Sequence, residues 1–432
     1  MSLLLRNANS LSWDQSAEDF ALHTGHLLLD NNCITHIPAG DQVPTADNEL
    51  DLGHRLVTAP LVNCHHHFYS LPARGLVPEG TTNDFSAVLE NLWWKLDRAL
   101  TLEAIRLAAR QSTLESIQQG VLTIFDHHAS PEVTEAALSS IGTEVERYGL
   151  RAVLCHEISD RNGAEVCEKQ FSENRNFIAS CQQSRQLKGI MGLHASFTVS
   201  DATLASVAGE RIHIHLAEDP VDNELSQKLY GDSACNRLSV NGLLQPGSIL
   251  AHGNHLSESE LNSVAESGST LVHNPHSNMN NGVGTLDLTQ AITQGCRIAP
   301  GTDGMHSSIA STLKQAFLLL RHTHRDPTIG FAAVQALVKG MFQLGRQFFP
   351  RLPLLQAGDS ADLVVWDYQP LTPLRQENLW GHFIYGLLES KPKHVVANGD
   401  FLLKDGDLLL DDVSTEHAQA VMSETWENFY RV

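Results

Sequence analysis

The sequence predicts an α/β protein: a (β/α)8 TIM barrel carrying a small composite β-sandwich domain built from both termini. Three observations predict it. From Val57 onward, short β-branched runs alternate with longer stretches of helical period, the pattern of repeated βα units. There are eight such runs, the number that closes a barrel. Seven of them carry a histidine at or near the C-terminal end and the eighth ends in an aspartate, so a closed barrel would focus these groups on the one face where such barrels build their sites.

Taken in order, residues 1–56 read as short strands and turns, typified by Gly25-His26-Leu27-Leu28-Leu29-Asp30. The eight barrel runs follow within residues 57–357: Val57–His67, Val121–His128, Arg151–His156, Lys188–His194, Arg211–Leu216, Ser248–His252, Ser269–His273 and Arg297–Asp303. Between them, helical period marks Leu102–Gln119, Pro131–Tyr148, Ser257–Ser267 and Ile309–His322. Residues 358–412 return to short strands, with Ala361–Asp367 and His394–Gly399 matching the first flank in character; the two flanks are expected to form one domain. The last stretch, residues 413–432, is expected to be helical over Ser414–Tyr430.

A net charge of −21 against 29 Lys plus Arg argues against nucleic acid and against an anionic membrane surface, and leaves a small molecule as the expected partner. Self-association into a homo-oligomer is compatible with the sequence. The apolar start is too short for a signal peptide, and no run approaches the roughly 18 apolar residues of a membrane span. Seven scattered cysteines without a Cys-x-x-Cys pair fit reduced thiols and a cytoplasmic location.

In Asn63-Cys64-His65-His66-His67 the period-2 alternation of a strand sends His65 and His67 to the same side, giving half of a metal site. His213 and His215 form a second such pair, and spacing alone leaves open which of them is a ligand. Glu218, three residues on, lies where strand becomes loop and a carboxylate can serve a water as general acid and base. His252 and Asp303 end the sixth and eighth runs; Asp303 suits a metal as a hard oxygen ligand, and His252 suits the attacking water or the electrophile. Of the groups beyond the ring, Arg74 is a candidate for a substrate carbonyl. Trp94 or Trp93 is a candidate for stacking, at most one of them because neighbours on a helix diverge.

These motifs, with Pro60–His67, Gly192–Thr198, His215–Glu218, Ala251–Leu256, His273–Asn278 and Gly301–Gly304 in this order, resemble the cytosine-deaminase/chlorohydrolase-like branch of the amidohydrolase superfamily over essentially the full chain. Asn91–Leu100 and Asp126–Pro131 are most similar to SsnA-type aminohydrolases, and His65–Tyr69 is also similar to the start of 8-oxoguanine deaminases. The resemblance implies that His65, His67, His215 and Asp303 bind one divalent metal, zinc or alternatively iron. It further implies that Glu218 shuttles the proton, that His252 assists at the water and that His194 contacts the substrate. The implied reaction is hydrolytic deamination of a purine, pyrimidine or pterin. Hydrolysis of a cyclic amide or ring halide would use the same groups, and a non-catalytic scaffold holding a structural metal is the remaining alternative.

Two departures matter. The Gly-x-x-Pro segment of many relatives is replaced by Met279–Leu286 without that proline, so the loop is expected to differ. The bridging lysine of two-metal relatives has no counterpart near the end of strand four: Lys188 starts that strand, roughly 20 Å of extended chain away, which points to a single metal.

Overall fold

The computed structural model describes residues 2–410 and 414–432, so the expected boundary at 412–413 lies outside the described residues. Two nine-stranded sheets organise the chain. The first uses β1 (Leu3–Asp14), β2 (Asp19–Asp30), β3 (Cys33–Pro38), β4 (Asn48–Asp51) and β5 (Leu56–Thr58) from the start of the chain. The second is the barrel: β6 (Leu61–His66), β7 (Val121–His128), β8 (Arg151–Ile158), β9 (Leu187–Gly189), β10 (Met191–Ala195), β11 (Ile212–Leu216), β12 (Ile249–His252), β13 (Thr270–His273) and β14 (Arg297–Pro300). The first sheet is then completed by β15 (Leu363–Trp366), β16 (Pro392–Ala397), β17 (Asp400–Lys404) and β18 (Asp407–Leu408). Its central seam is β15 lying antiparallel to β5, which joins the two ends of the chain as expected of a composite β domain.

The barrel strands are parallel, and eight positions run in the order β6, β7, β8, β10, β11, β12, β13, β14, with β9 a short extra pairing on β8. Closure between first and last is made by backbone bonds from Thr302 and Asp303 N–H to the His65 carbonyl, both 3.0 Å. The side chain of Asn63 adds a bond to Thr302 Oγ1 at 2.7 Å. The residues that close the ring are thus neighbours of the expected site, which stiffens it.

Proline corrects the first barrel run. Val57–His67 is not one strand: Pro60 has no N–H to give a ladder, and on either side of it Val57 pairs with Val365 in the β domain while Leu61 pairs with Val121 in the barrel. The fourth run likewise divides at Ile190, whose N–H turns to the Leu154 carbonyl. The helix expected from Pro131 starts only at Ala137, because Ala136 adopts a left-handed conformation, φ 65°, that interrupts the turn before it. Helix Glu258–Ser267 starts where Ser257 and Glu260 cap each other's backbone N–H groups.

One continuous apolar core links the two sheets. Trp13 of β1 meets Phe20 of β2 and Phe342 of the long helix Phe331–Phe348, with ring centres 5.2 and 5.6 Å away. That helix lies so close on β14 that a Cβ at Gly340 would sit 1.8 Å from the Ile298 carbonyl oxygen, so only glycine fits there. The C-terminal helix Thr415–Phe429 packs Phe429 with Leu76, Leu96 and Ala99, and Trp426 donates to the Pro72 carbonyl at 2.7 Å. It thereby braces the segment between β6 and β7 that covers the barrel mouth. No helix among the described residues is long and apolar enough to cross a membrane.

Candidate active site

The strand ends place His65 on β6, His67 just past it, His215 on β11 and Asp303 after β14 around one point. His67 Nε2 lies 3.1 Å from Asp303 Oδ1 and 3.2 Å from His215 Nε2, and His65 Nε2 lies 3.8 Å from the same Asp303 oxygen. What sets these rings is the bonding of their other nitrogen. His215 Nδ1 donates to the His194 carbonyl at 2.9 Å, His67 Nδ1 donates to the His127 carbonyl, and His65 Nδ1 is 2.8 Å from His213 Nε2. With each Nδ1 engaged, Nε2 is the nitrogen that each ring turns to the shared centre. The His65 Nε2 is buried with no partner among the described residues. Three convergent imidazole nitrogens and one carboxylate oxygen fit a divalent cation.

Electrostatics agrees with that fit. Burial depresses His65 far below the ordinary imidazole range and His215 to about 3, helped by neighbouring imidazoles, so both are neutral and able to coordinate. His67 and Asp303 behave as a pair. Burial opposes charge on each, but their mutual hydrogen bond and attraction win, raising His67 to about 9 and lowering Asp303 well below the carboxylate range. A proton there occupies the position of positive charge that a cation between nitrogen and oxygen would take.

Beside this ring stand Glu218 and His252. His252 Nε2 lies 3.4 Å from Glu218 Oε2 and 3.6 Å from Asp303 Oδ2, while its Nδ1 donates to Asn278 Oδ1 at 2.8 Å. Burial raises Glu218 to about 7, within reach of both protonation states near neutral pH. Three residues at these strand ends, Ala217, His252 and Asp303, hold left-handed φ of 48°, 76° and 53°. Such conformations cost non-glycine residues energy and concentrate where side chains must be aimed.

The cleft above holds about 750 Å³ of space, its open mouth included. Tyr69, Phe85, Trp93, Trp94 and Phe197 supply flat apolar walls, and His194, Asp97, Glu157 and Asp222 supply polar ones. His194 is fixed by its Nδ1 on Thr198 Oγ1 at 2.8 Å. Arg161 holds the two buried carboxylates: its Nη2 donates to Asp97 Oδ2 at 2.8 Å and to Glu157 Oε1.

Thus the structure brings together His65, His67, His215, Glu218, His252 and Asp303, with His194 and Trp94 on the wall of the same cleft. His213 lies behind His65, as its bond describes. Arg74 is a correction: its guanidinium is bidentate to Glu115 at 2.6 and 2.7 Å and lines no part of the cleft, because the turn after β6 carries it to helix Leu102–Gln118. A second correction is that both Trp93 and Trp94 line the cleft. Residues Leu89–Trp93 form a π-helical turn in which the Trp94 N–H bonds the Leu89 carbonyl five residues back, so successive side chains diverge less than on an α-helix. Sequence reasoning missed Asp97, Glu157 and Arg161. Glu157 was within reach, since β8 continues two residues past His156, where the apolar run had been ended.

Residues 56–402 match the amidohydrolase family. Over 438 residues, covering 97% of each chain, 27% are identical to a 5-methylthioadenosine/S-adenosylhomocysteine deaminase of Desulforudis audaxviator. Over 439 residues, covering 98% of each chain, 28% are identical to a 5'-deoxyadenosine deaminase of Methanosarcina barkeri. Among solved structures, a zinc-bound adenosine deaminase from Xanthomonas campestris superposes with a TM-score of 0.83 at 20% identity, covering 100% of this chain and 99% of that one.

Proposed function

Since this chain belongs to the amidohydrolase family, we propose that it is a metal-dependent deaminase that converts an aminated nitrogen heterocycle and water into the oxo-heterocycle and ammonia. The observation that carries the reading is the position of Glu218, a carboxyl raised by burial and 3.4 Å from His252 at the rim of a four-donor metal site. A closed structural site would have no use for that pair. The deaminase names of relatives aligned over nearly the whole chain support the same reaction.

The reading assigns one divalent ion per chain to His65, His67, His215 and Asp303, and zinc is the ion supported by the imidazole-rich set and by the Xanthomonas structure. When bound, it lowers the pKa of a water from ~15.7 towards ~7. Lys188 favours a single ion, since its Nζ donates to the Ser184 carbonyl at 2.7 Å near the start of its strand.

Glu218 takes the water's proton as oxygen adds to the amidine carbon, and delivers it to the ring nitrogen or to the departing amine. His252, held by Asn278, donates or accepts at the same oxygen and keeps it in line with that carbon. The carbon–nitrogen bond to the amine then breaks and ammonia leaves. Tyr69, Trp93, Trp94 and Phe197 hold the ring and exclude bulk water, while His194 offers Nε2 to a ring acceptor or donor. All seven cysteines are free thiols, which supports a reducing, cytoplasmic setting.

The test is an ammonia-release screen of zinc-loaded protein against aminopurines, their nucleosides, aminopyrimidines and aminopterins. Turnover of at least one, abolished by a chelator and restored by zinc, is the expected result. Hydrolysis of a ring amide or halide without ammonia release would overturn the assignment.

A further inference from the structure

Three buried polar atoms beside the cleft have no partner among the described residues: Trp94 Nε1, Asp97 Oδ1 and Arg161 Nη1. They belong to one patch. Trp94 and Asp97 are three residues apart on one helix, hence on one face, and both line the cleft. Arg161 spans them, its guanidinium carbon 5.5 Å from the Trp94 ring centre and its Nη2 on Asp97 Oδ2. Polar atoms this deeply buried are normally bonded, and leaving one unpaired costs free energy comparable to a lost hydrogen bond. The patch is also short of positive charge, with two carboxylates facing one guanidinium.

We propose that Trp94 and Asp97, held in place by Arg161, form a recognition site for a lactam edge, so that the substrate is an amino-oxo heterocycle whose ring N–H binds Asp97 Oδ1 and whose adjoining carbonyl accepts from Trp94 Nε1. This rests on the deaminase reading and selects its substrate class. A ribose cis-diol is best clasped by a carboxylate with both oxygens open, whereas Asp97 Oδ2 already accepts from Arg161 and only Oδ1 is unpartnered among the described residues. Phosphorylated substrates are disfavoured for a separate reason, since Asp97, Glu157, Glu218 and Asp222 all face the cleft.

The site is tested by calorimetric binding to the zinc-loaded full chain with two rings that have no amine to lose: hypoxanthine, which carries the lactam edge, and purine, which lacks it. Hypoxanthine is expected to bind at least tenfold more tightly. Asp97→Ala should weaken hypoxanthine roughly five- to 150-fold and leave purine unchanged. Asp97→Asn keeps the volume, so it guards against a misfolded alanine variant. It also turns an N–H towards the ring, so it should reverse the order in favour of purine, an outcome no purely structural role for Asp97 produces. Equal binding of the two rings by the parent, no binding of hypoxanthine, or an equal loss for both in the variants overturns the proposal. Selective hypoxanthine binding without ammonia release from any aminated ring would support this site and overturn the deaminase reading instead.

Discussion

His65 and His213 are joined by a single hydrogen bond, Nδ1 to Nε2 at 2.8 Å, and both rings are fully buried. In the proposed metal site His65 Nε2 is a ligand, which requires His65 Nδ1 to carry the proton and His213 Nε2 to accept it, so that His213 would fix the tautomer of a ligand without being one. His213→Ala should weaken metal binding roughly 10–100-fold, and His213→Gln, which can place an acceptor near Nε2, should recover part of it. Competition with a chromogenic chelator measures this, and an alanine variant with unchanged affinity would remove the role.

Glu218→Gln preserves shape and hydrogen bonding but cannot accept a proton. Turnover should fall by about 10²–10⁴ with metal content unchanged. Metal analysis beside steady-state rates separates this from loss of the ion; near-normal turnover would dismiss Glu218 as the shuttle.

Asn278→Ala removes the acceptor that holds His252 Nδ1 at 2.8 Å. Since His252 is not among the four proposed metal ligands, metal affinity should stay within about twofold while kcat drops on the order of 10–100-fold. A parallel loss of metal would place His252 in the ligand set.

Asp126 is fully buried on β7, accepts the Phe68 N–H at 2.7 Å, and is pushed up to about 7 by burial. Its folded-state value exceeds its unfolded one, so its contribution to stability is complete below about pH 4 and is lost as pH rises through about 7. Asp126→Asn keeps an acceptor for Phe68 but cannot ionise. The variant's melting temperature should therefore decline less than the parent's between pH 5 and 8, and superimposable pH profiles would count against the assignment.

Gly340→Ala forces a methyl group to within 1.8 Å of the Ile298 carbonyl oxygen unless helix and strand separate. The cost should be at least ~1–3 kcal/mol, lowering the melting temperature by several degrees. A melt unchanged by the substitution would mean that the helix can shift freely on β14.

Much of this was legible in the sequence for a specific reason. A buried parallel strand has a fixed direction and a side-chain period of two, so a histidine at its C-terminal end has a determined destination once the barrel closes; His65 and His215 gain their positions that way, whereas Asp303 lies past β14 and is aimed by its left-handed backbone and its N–H bond to the His65 carbonyl. Arg74 sits in the turn after β6, where no period constrains direction, and an unforeseeable partner, Glu115, captures it. Trp93 and Trp94 were misjudged because an α-helical period was applied to a π turn. Asp97 lies on a helix whose buried face is set by the C-terminal helix and by Arg161, contacts made by chain far away in sequence.

The seam between β5 and β15 has a consequence for how the chain reaches this state. Residues 56–58 cannot find residues 363–366 until roughly 300 intervening residues have left the ribosome, about 15–60 s at ~5–20 residues per second. Through that interval β5 exposes an unpaired edge. Synthesis is the period in which this protein is most open to aggregation, and a chaperone that shields the first sixty residues should raise its yield more than one acting on the finished chain.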